Sequence, residues 1–290
     1  TQPVVAIHVE DGGQSSSATN PVTLSITSGT GASGATLVGT TTVDAVNGLA
    51  TFSDLQINSA GSGYTLTATS TGLTGSVSTS FSVSAGAVSQ IAVSTQPSEG
   101  PGADAFTTAP VISFKDAYGN AASSSATVTA SIKSGAGNSN ATLIGTTSVS
   151  AVSGVAEFTD LGIDLAGTDY VLTFESSGFA SVDSAAFEVT DPLPYQLLFL
   201  EEPSGGFNKN YPSTANKVRI ADKLGITVAS ATNEVTLSIK SGTGTAGAAL
   251  TGTTVVDASG GLVTFNQVEV DSGGTNYQLE ASSSGLVSAT

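Results

Sequence analysis

The chain of 290 residues contains no cysteine, methionine or tryptophan. Without cysteine it has no disulfide, no thiolate metal ligand and no thiol nucleophile. This absence assigns no compartment, because domains of about a hundred residues can build a sufficient core without disulfides. No stretch approaches the roughly 20 continuous apolar residues of a membrane helix. We therefore expect no membrane insertion in this segment.

Basic residues are also scarce, since 7 Lys and Arg stand against 23 Asp and Glu, for a formal net charge of −16. Residues 1–86 contain no lysine or arginine at all. Nucleic-acid binding needs clustered cations that neutralise phosphates, so we expect no nucleic-acid partner. Hydrophobic residues make up 39%. That share is enough for a folded core, unlike the usual disordered composition.

What the chain does contain is one pattern repeated three times. A segment that includes Tyr64 returns twice, and the matching tyrosines are Tyr170 and Tyr277. Repeats of roughly a hundred residues are whole domains, longer than the repeats of solenoids. The sequence therefore predicts a linear array of three domains. These are unit 1 (residues 1–86), unit 2 (residues 87–191) and unit 3 (residues 192–290).

Each unit is predicted to be an all-β sandwich. In unit 2, apolar and polar residues alternate in runs that Gly, Pro, Asn or Ser separate, and helical spacing is sustained nowhere. Seven or eight antiparallel strands in about a hundred residues favour an immunoglobulin-like β-sandwich. The runs are Ile91–Pro97, Pro110–Asn120, Ala126–Gly135, Ala141–Val152, Gly154–Phe158, Asp169–Ser176 and Ser184–Val189.

Two recurring features support the sandwich. Asn47–Gly48, Ser153–Gly154 and Gly260–Gly261 occupy one repeat position between alternating runs, where type I′ turns need positive φ at both residues. Tyr170 begins the penultimate strand and resembles the tyrosine corner of such sandwiches, whose hydroxyl bonds to upstream backbone. Leu172 stands where antibody domains carry the second cysteine of their disulfide. Packing alone would then hold the two sheets together.

Units 1 and 3 are predicted to be incomplete. Thr1–Gly13 matches Thr108–Asn120 of unit 2, so unit 1 lacks its first strand, and unit 3 lacks its last. A sandwich without an edge strand exposes unpaired backbone and part of its core. Either Thr1 and Thr290 are cuts through a longer repetitive chain, or neighbouring molecules supply the strands, as in donor-strand polymers. The linkers are short, which predicts a fairly stiff rod on the order of 100 Å long.

The order of short motifs carries a family resemblance. Unit 2 reads Q-x6-P-S-x-G, D-x-x-G, S-I-x-S-G, T-T, G-x-x-x-F-x-x-L, G-x-x-Y-x-L and S-x-G. This order resembles the tandem bacterial immunoglobulin-like repeats of very large secreted and cell-surface proteins. Unit 3 departs from it at Val268 and in Lys223–Ile226. The resemblance implies an extracellular stalk, adhesin, surface-layer or filament component, and specifies no ligand.

Candidate catalytic residues are few. The only histidine, His8, lies in an alternating run and has no counterpart histidine in the other units, and zinc lacks ligands. Asp160 and Asp164 could form a carboxylate pair of the glycosidase type. Unit 1 has Asn58 in place of Asp164, however, and the alignment puts Asn266 in place of Asp160 in unit 3. We therefore predict that the chain is not an enzyme and has no catalytic or cofactor-binding residue.

Calcium is the remaining candidate ligand. Acidic and amide side chains gather in loops, and their oxygens are the ligands that Ca²⁺ takes. Asp and Asn also favour turns for their own reasons, and no EF-hand or nonapeptide loop is present. Calcium therefore stays an alternative to the prediction of no cofactor, with no metal ligands assigned. The three places are Asp116 with Asn120, Asp164 with Asp169, and Asp271 with Asn276.

Three aromatic residues do not recur between units: Tyr118, Phe207 and Tyr211. We predict that they are loop anchors or interface contacts, while the recurring phenylalanines and tyrosines form the cores. The Gly-rich stretch Ser28–Gly31 and its counterpart in unit 3 are turns, not phosphate loops, because no helix follows them.

These features together predict a non-enzymatic structural segment of an extracellular surface protein that forms a rod, stalk, filament or surface lattice. Its partners would be neighbouring copies or adjacent domains of the same chain. The alternative is an adhesin module that recognises glycans or the surface of a host or neighbouring cell. An accessory array attached to a secreted enzyme is the third reading.

Overall fold

The computed structural model describes residues 2–201 and 216–290, and all regular structure in these ranges is β-strand. Unit 1 holds β1 (Val4–Ala6), β2 (Pro21–Ile26), β3 (Leu37–Val38), β4 (Thr42–Asp44), β5 (Leu49–Thr51), β6 (Gln56–Ile57), β7 (Gly61–Tyr64), β8 (Leu66–Thr69), β9 (Ser76–Val77) and β10 (Phe81–Val83). Unit 2 holds β11 (Gln90–Thr95), β12 (Gly100–Pro101), β13 (Asp104–Ala105), β14 (Val111–Lys115), β15 (Thr127–Ile132), β16 (Leu143–Ile144), β17 (Ser148–Ser150), β18 (Val155–Glu157), β19 (Gly162–Ile163), β20 (Gly167–Tyr170), β21 (Leu172–Glu175), β22 (Val182–Asp183) and β23 (Phe187–Thr190). Unit 3 holds β24 (Gln196–Phe199), β25 (Asn216–Ala221), β26 (Glu234–Ile239), β27 (Leu250–Thr251), β28 (Val255–Asp257), β29 (Leu262–Phe265), β30 (Glu269–Val270) and β31 (Leu279–Ser282).

Unit 2 shows the sandwich most completely. One main sheet has the order β11-β14-β18 and the other the order β17-β15-β21-β22. In β15, Val128 and Ala130 are buried while Thr127 and Thr129 are exposed, as expected of a strand with one face on a core. Phe158 packs against Phe174 between the sheets, with ring centroids 5.4 Å apart. The predicted immunoglobulin-like, all-β architecture is confirmed.

The penultimate strand of unit 2 differs from the prediction. The run from Asp169 to Ser176 was expected as one strand, whereas the structure breaks it into β20 and β21. β20 pairs with β23, and β21 pairs with β15, so the chain passes from one sheet to another at Val171. Asp169, with φ of +59°, marks the irregular backbone before the change. Alternation of apolar residues does not reveal which sheet a strand joins, which is why the break was missed.

A second difference concerns strand direction. β12 and β23 pair in parallel, with Gly100 opposite Val189, although the sequence predicted an antiparallel fold. After Pro97 the chain leaves the sheet of β11 and lies along β23, the last strand of the unit, in the other sheet. The short strands β12 and β13 in this loop were not predicted.

The three units repeat the same core. Each has its own cluster of buried apolar residues, and no cluster takes residues from two of the predicted ranges. The domain limits at residues 86/87 and 191/192 stay predictions. The recurring phenylalanines lie at the centre of each cluster with at most 1% exposure: Phe52, Phe158 and Phe265.

The predicted type I′ turns are confirmed by their backbone angles. Asn47 and Gly48 have φ of +52° and +76°, and Ser153 and Gly154 have +52° and +83°. Gly48 is also required sterically, because a Cβ there would lie 1.8 Å from the carbonyl oxygen of Ser15. The turn therefore fixes both the hairpin and its contact with the preceding loop.

Units 1 and 3 differ from unit 2 in strand pairing. β14 pairs on both sides, with β11 and β18, whereas its counterpart β1 pairs with β5 alone among the described residues. In unit 3, residues 274–277 are not a strand, although the matching residues of unit 2 form β20. β20 pairs with β23, the last strand of unit 2, and the described residues of unit 3 include no strand paired in this way.

Candidate functional site: loop clamps and domain joints

Each unit contains a tyrosine corner. The Tyr170 hydroxyl donates to the carbonyl oxygen of Leu165 at 2.9 Å, five residues upstream. Tyr64 and Tyr277 make the same bond at 2.8 Å. The rings of Tyr64 and Tyr170 are fully buried, whereas that of Tyr277 is half-buried. The predicted corner is thus confirmed in all three units, and it is less enclosed in unit 3.

A glycine lies against the ring of each corner tyrosine. A Cβ on Gly137 would come within 2.2 Å of the Tyr170 ring, and Gly137 has φ of +64°. Any side chain would therefore displace the ring and strain the backbone. The sequence analysis treated these Gly-rich stretches only as turns. The sequence feature that could have revealed this contact is the recurrence of S-G-x-G at one fixed position of the repeat. The equivalent glycines are Gly31 and Gly244.

The candidate catalytic carboxylates act as clamps on neighbouring loops. Asp160 accepts hydrogen bonds from the backbone N and the Oγ1 of Thr146, at 3.0 and 2.9 Å. Asp164 accepts the same two kinds of bond from Thr142, both at 2.7 Å. Asp54 repeats the first clamp in unit 1. The pKa of Asp160 is lowered, chiefly by the backbone N–H of Thr146. Each acid therefore holds a different threonine.

The sequence alignment of this clamp in unit 3 was wrong by one residue. A Cβ on Gly145 would lie 2.0 Å from the carbonyl oxygen of Asp160, and one on Gly252 would lie 1.9 Å from that of Gln267. Gln267, not Asn266, is therefore the counterpart of Asp160. The recurring phenylalanines give the same register, because Asp160 lies two residues after Phe158 and Gln267 lies two residues after Phe265, whereas Asn266 follows Phe265 directly.

The first calcium candidate is a closed hydrogen-bonded turn. Asp116 Oδ1 accepts from the backbone N of Tyr118 and Asn120, both at 2.9 Å. Its Oδ2 accepts from Asn120 Nδ2 at 2.9 Å and from the backbone N of Gly86 at 2.8 Å. These donors, the Asn120 side chain first, lower the pKa of Asp116 to about 2. The carboxylate is thus fully occupied by protein donors.

The other two calcium candidates are also engaged within their loops. Asp271 Oδ1 accepts from the backbone N of Ala249 at 2.9 Å and from Ser272 Oγ at 3.0 Å. Asp169 accepts from Thr168 Oγ1 at 3.3 Å. In residues 2–201 and 216–290, no three His, Asp or Glu side chains gather in a group that could hold a metal ion.

The turn of Asp116 also joins unit 2 to unit 1, in a contact that we call the first joint. Asn120 Nδ2 donates to the carbonyl oxygen of Asn58 at 3.0 Å, and its Oδ1 accepts from the backbone N of Ala60 at 2.9 Å. The Tyr118 hydroxyl donates to Gln56 at 3.2 Å. The prediction that Tyr118 is an interface contact is confirmed. Phe207 and Tyr211 lie outside the described residues.

The same turn is built differently in unit 3. Asp222 Oδ1 accepts from the backbone N of Leu224 and Ile226, at 2.8 and 2.9 Å, as in unit 2. Ile226 replaces Asn120, however, and Pro192, which has no N–H, replaces Gly86. Asp222 is only 1% exposed, and its Oδ2 has no hydrogen-bond partner among the residues that the structure describes.

Units 2 and 3 meet in a second joint of different chemistry. In the described ranges, one ion pair joins them, between Lys223 Nζ and Asp104 Oδ1. Lys223 also lies over the Tyr195 ring, 5.9 Å from its centroid. The pKa of Lys223 is raised, chiefly by its hydrogen bond to Asp104. Half of the Lys223 side chain is exposed, so salt will screen this joint.

His8 takes part in a local turn. Its Nδ1 lies 2.8 Å from the carbonyl oxygen of Gly12, and the side chain is exposed. Within residues 2–201 and 216–290, no carboxylate or hydroxyl side chain hydrogen-bonds to the ring. In the described part of the chain, no helix has the length and apolar character that crossing a membrane requires.

The fold and these sites define a class: an array of immunoglobulin-like β-sandwiches whose polar groups brace loops and joints. No family model and no curated protein matches the chain. Among solved structures, it is similar to invasin, a bacterial integrin-binding protein, with 17% identity and a TM-score of 0.28 over 96% of this chain and 52% of that one.

Two further solved structures are similar at the same level. Domains 4–9 of the surface layer protein SbsC are 16% identical, with a TM-score of 0.27, over 99% of this chain and 46% of that one. The D0-D1 domain of intimin is 15% identical, with a TM-score of 0.25, over 64% of this chain and 88% of that one. The chain spans about half the length of the invasin and SbsC structures. Similarity this low carries no inference about function.

Proposed function

We propose that this chain is a non-enzymatic structural segment of an extracellular surface protein, of the type formed by tandem bacterial immunoglobulin-like repeats. The observation that carries the proposal is the first joint. There the side chain of Asn120 bonds to the backbone of Asn58 and Ala60 in the preceding unit. Bonds of this kind fix how one module sits on the next, which is what a spacer or lattice element needs.

The rod would resist load in two ways. Within each unit, hydrogen bonds between strands and the tyrosine corner hold the sheets. Between units, the two joints differ: the first uses bonds between neutral groups that salt does not weaken, and the second uses an exposed ion pair. Exposed ion pairs contribute about 0–1 kcal/mol. We infer that the array bends more easily between units 2 and 3 than between units 1 and 2.

The contacts of the acidic residues support a non-catalytic role without a cofactor. Asp160 and Asp164 are bonded to different threonines, and Asp116 has four protein donors around its carboxylate. Catalytic acids need a free oxygen within reach of a substrate. With a net charge of −16, the partners we propose are other units or copies of this protein rather than nucleic acids or anionic membranes.

Distance measurements between paired labels test the joint directly, and the absence of cysteine makes labelling simple. Ser17→Cys with Ser181→Cys would report on units 1 and 2. We expect a narrow distance distribution that Asn120→Ala broadens, because the variant removes both bonds to unit 1. Asn140→Ala, an exposed asparagine in the same unit, is the matched control. An unchanged distribution in Asn120→Ala would contradict the proposal.

One observation favours the adhesin alternative. Leu193, Tyr195, Leu224 and Ile226 near the second joint are 43–60% exposed. Ala87, Ser89, Tyr118 and Asn120 take their places in unit 2, so this apolar surface does not recur. Exposed apolar side chains of this kind can mark an interaction site. A glycan array and cell-binding assay with a Leu224→Ser/Ile226→Ser variant would test it. Tight binding that the variant abolishes would favour an adhesin over a spacer.

A further inference from the structure

Unit 1 has an open groove of about 900 Å³ beside β1, which we call the acceptor groove. Side chains of the unit's core lie at its surface: Val5, Ile7, Val22, Leu24 and Leu66. Ile7, Val22, Leu24 and Leu66 are only 2–8% exposed, but Val5 is half-buried, whereas its counterpart Ile112 in unit 2 is fully buried. The groove therefore has the character of an unfilled strand position.

The same position is filled in the other two units. In unit 2, β11 pairs along β14 and places Ile91 in the core, where it is 6% exposed. In unit 3, β24 pairs along β25 and buries Leu197 to 1%. Both strands begin with glutamine, whose Nε2 donates to the carbonyl oxygen of Asp116 or Asp222 at about 3 Å. The shared pattern is Gln, apolar, any residue, apolar.

The backbone of β1 is also open on this side. The N–H of Ile7 donates to Gly48, toward β5, so the neighbouring backbone groups of Ala6 and His8 face the groove. In unit 2 the counterpart of His8 is Lys115, and its carbonyl oxygen accepts from Ser89 N at 2.9 Å. The edge thus has the donors and acceptors that an antiparallel strand would pair with.

A second cavity of unit 1, of about 700 Å³, corresponds to the continuation of that strand. Leu55, Ile57 and Phe81 line it on the side of unit 1, and Asp116, Tyr118 and Asn120 line it on the side of unit 2. In unit 2 the matching position is covered by Phe106, whose ring packs edge-on against Phe187 with centroids 5.3 Å apart. Both cavities therefore correspond to one continuous segment of unit 2, from β11 to Phe106.

We propose that the acceptor groove and this second cavity together bind one extended segment of the repeat's own kind. The segment carries the Gln-apolar-x-apolar pattern and, about 15 residues later as in unit 2, a phenylalanine. It pairs antiparallel to β1, with its apolar side chains against Val5 and Ile7. In units 2 and 3 the strand arrives along the chain directly before its own unit. We therefore commit to an occupant that reaches the groove from the N-terminal side of unit 1, within the same array.

A synthetic peptide of residues 89–109 is the probe, titrated into the intact chain by calorimetry. We expect saturable binding at one site per chain, and slower hydrogen exchange at the amides of Ala6 and His8. A peptide with Ile91→Asp should bind at least tenfold more weakly, because it places a charge in the core. Failure of the native peptide to bind, or equal binding of both peptides, would overturn the proposal.

A fusion tests the committed source. In a chain with residues 88–109 duplicated directly before Pro3, the melting transition of unit 1 should rise by about 5 °C or more. The free peptide should no longer bind to it, and the transitions of units 2 and 3 should not move. If the unfused chain instead dimerises in sedimentation and the peptide dissociates the dimer, a second copy fills the groove and the proposal is wrong.

Discussion

Replacing each corner tyrosine by phenylalanine tests how much one hydroxyl stabilises its unit. Tyr170→Phe removes the bond from the hydroxyl to the carbonyl oxygen of Leu165, 2.9 Å long, and leaves the buried ring in place. Tyr64→Phe and Tyr277→Phe remove the matching bonds in the other units. The chain therefore contains its own series of three equivalent perturbations.

The magnitude follows from the surroundings of each bond. A buried neutral hydrogen bond contributes about 1 kcal/mol, and an acceptor left without a partner adds to the loss. Because Leu165 is only half-buried, water can reach its carbonyl oxygen in part, and we expect about 1–2 kcal/mol for Tyr170→Phe. For a domain of this size that corresponds to a fall in melting temperature of about 4–12 °C. Tyr277 is half-buried, so its variant should lose about half as much.

Scanning calorimetry of the intact chain would measure the effect, since each domain can give its own transition. Hydrogen exchange at residues 165, 59 and 272 would assign each transition to its unit. We expect Tyr64→Phe and Tyr170→Phe to lower one transition each by similar amounts. A loss in Tyr277→Phe as large as in Tyr170→Phe, or no loss in any variant, would refute the link between enclosure of the corner and its contribution.

The remaining predictions use the same assays. Gly137→Ala should destabilise unit 2 by about 3 kcal/mol or more, because its Cβ would overlap the Tyr170 ring at a positive φ; an unchanged transition would contradict this. Asp116→Asn should destabilise unit 2, while Asp222→Asn should leave unit 3 equally or more stable, because among the described residues Oδ2 has hydrogen-bond donors in Asp116 but none in Asp222. Thermal melting of both variants tests this difference. The pKa of Asp116 falls from 3.8 to about 2 on folding. Its contribution to the stability of unit 2 should therefore be complete above about pH 4 and lost as the pH falls toward 2. Acid unfolding of the wild type, compared with Asp116→Asn, would show this loss. Burial raises the pKa of Tyr170 above 10.0, so its contribution should hold below pH 10 and disappear as the pH rises further, and Tyr170→Phe should lack this alkaline loss. Labels at Ser181→Cys and Ser284→Cys would report the distance between units 2 and 3. At low salt, Lys223→Gln should widen the distance distribution, and about 1 M salt should do the same in the otherwise unchanged chain. No response to either change would argue against an ionic joint.

The repeat made much of the fold predictable. Because the pattern occurs three times, each strand could be predicted from three independent stretches of sequence. The alternating residues of β15 and the Asn47–Gly48 turn could be interpreted by local rules alone. The corner was predictable for the same reason, because Tyr170 has a fixed relation to the strand that follows it. These features depend on residues close together in sequence.

Features that depend on distant residues were not predictable. Nothing near Asn120 shows that its amide reaches Asn58 and Ala60, about sixty residues earlier. The contact between Gly137 and Tyr170 spans more than thirty residues and involves a residue without a side chain. The crossing between sheets at Val171 depends on which neighbours are available, which an alternating pattern does not reveal.

The difference between the two joints comes down to two positions at each joint. Glycine at position 86 and asparagine at position 120 complete the hydrogen bonds of the first joint, while Pro192 and Ile226 leave the second without them. In a longer array of such modules, the compliance of every joint would be encoded by these two residues. Joints with glycine and asparagine at these positions would be stiff, and joints with proline and isoleucine would bend, so the bending profile of such an array could be read from its sequence.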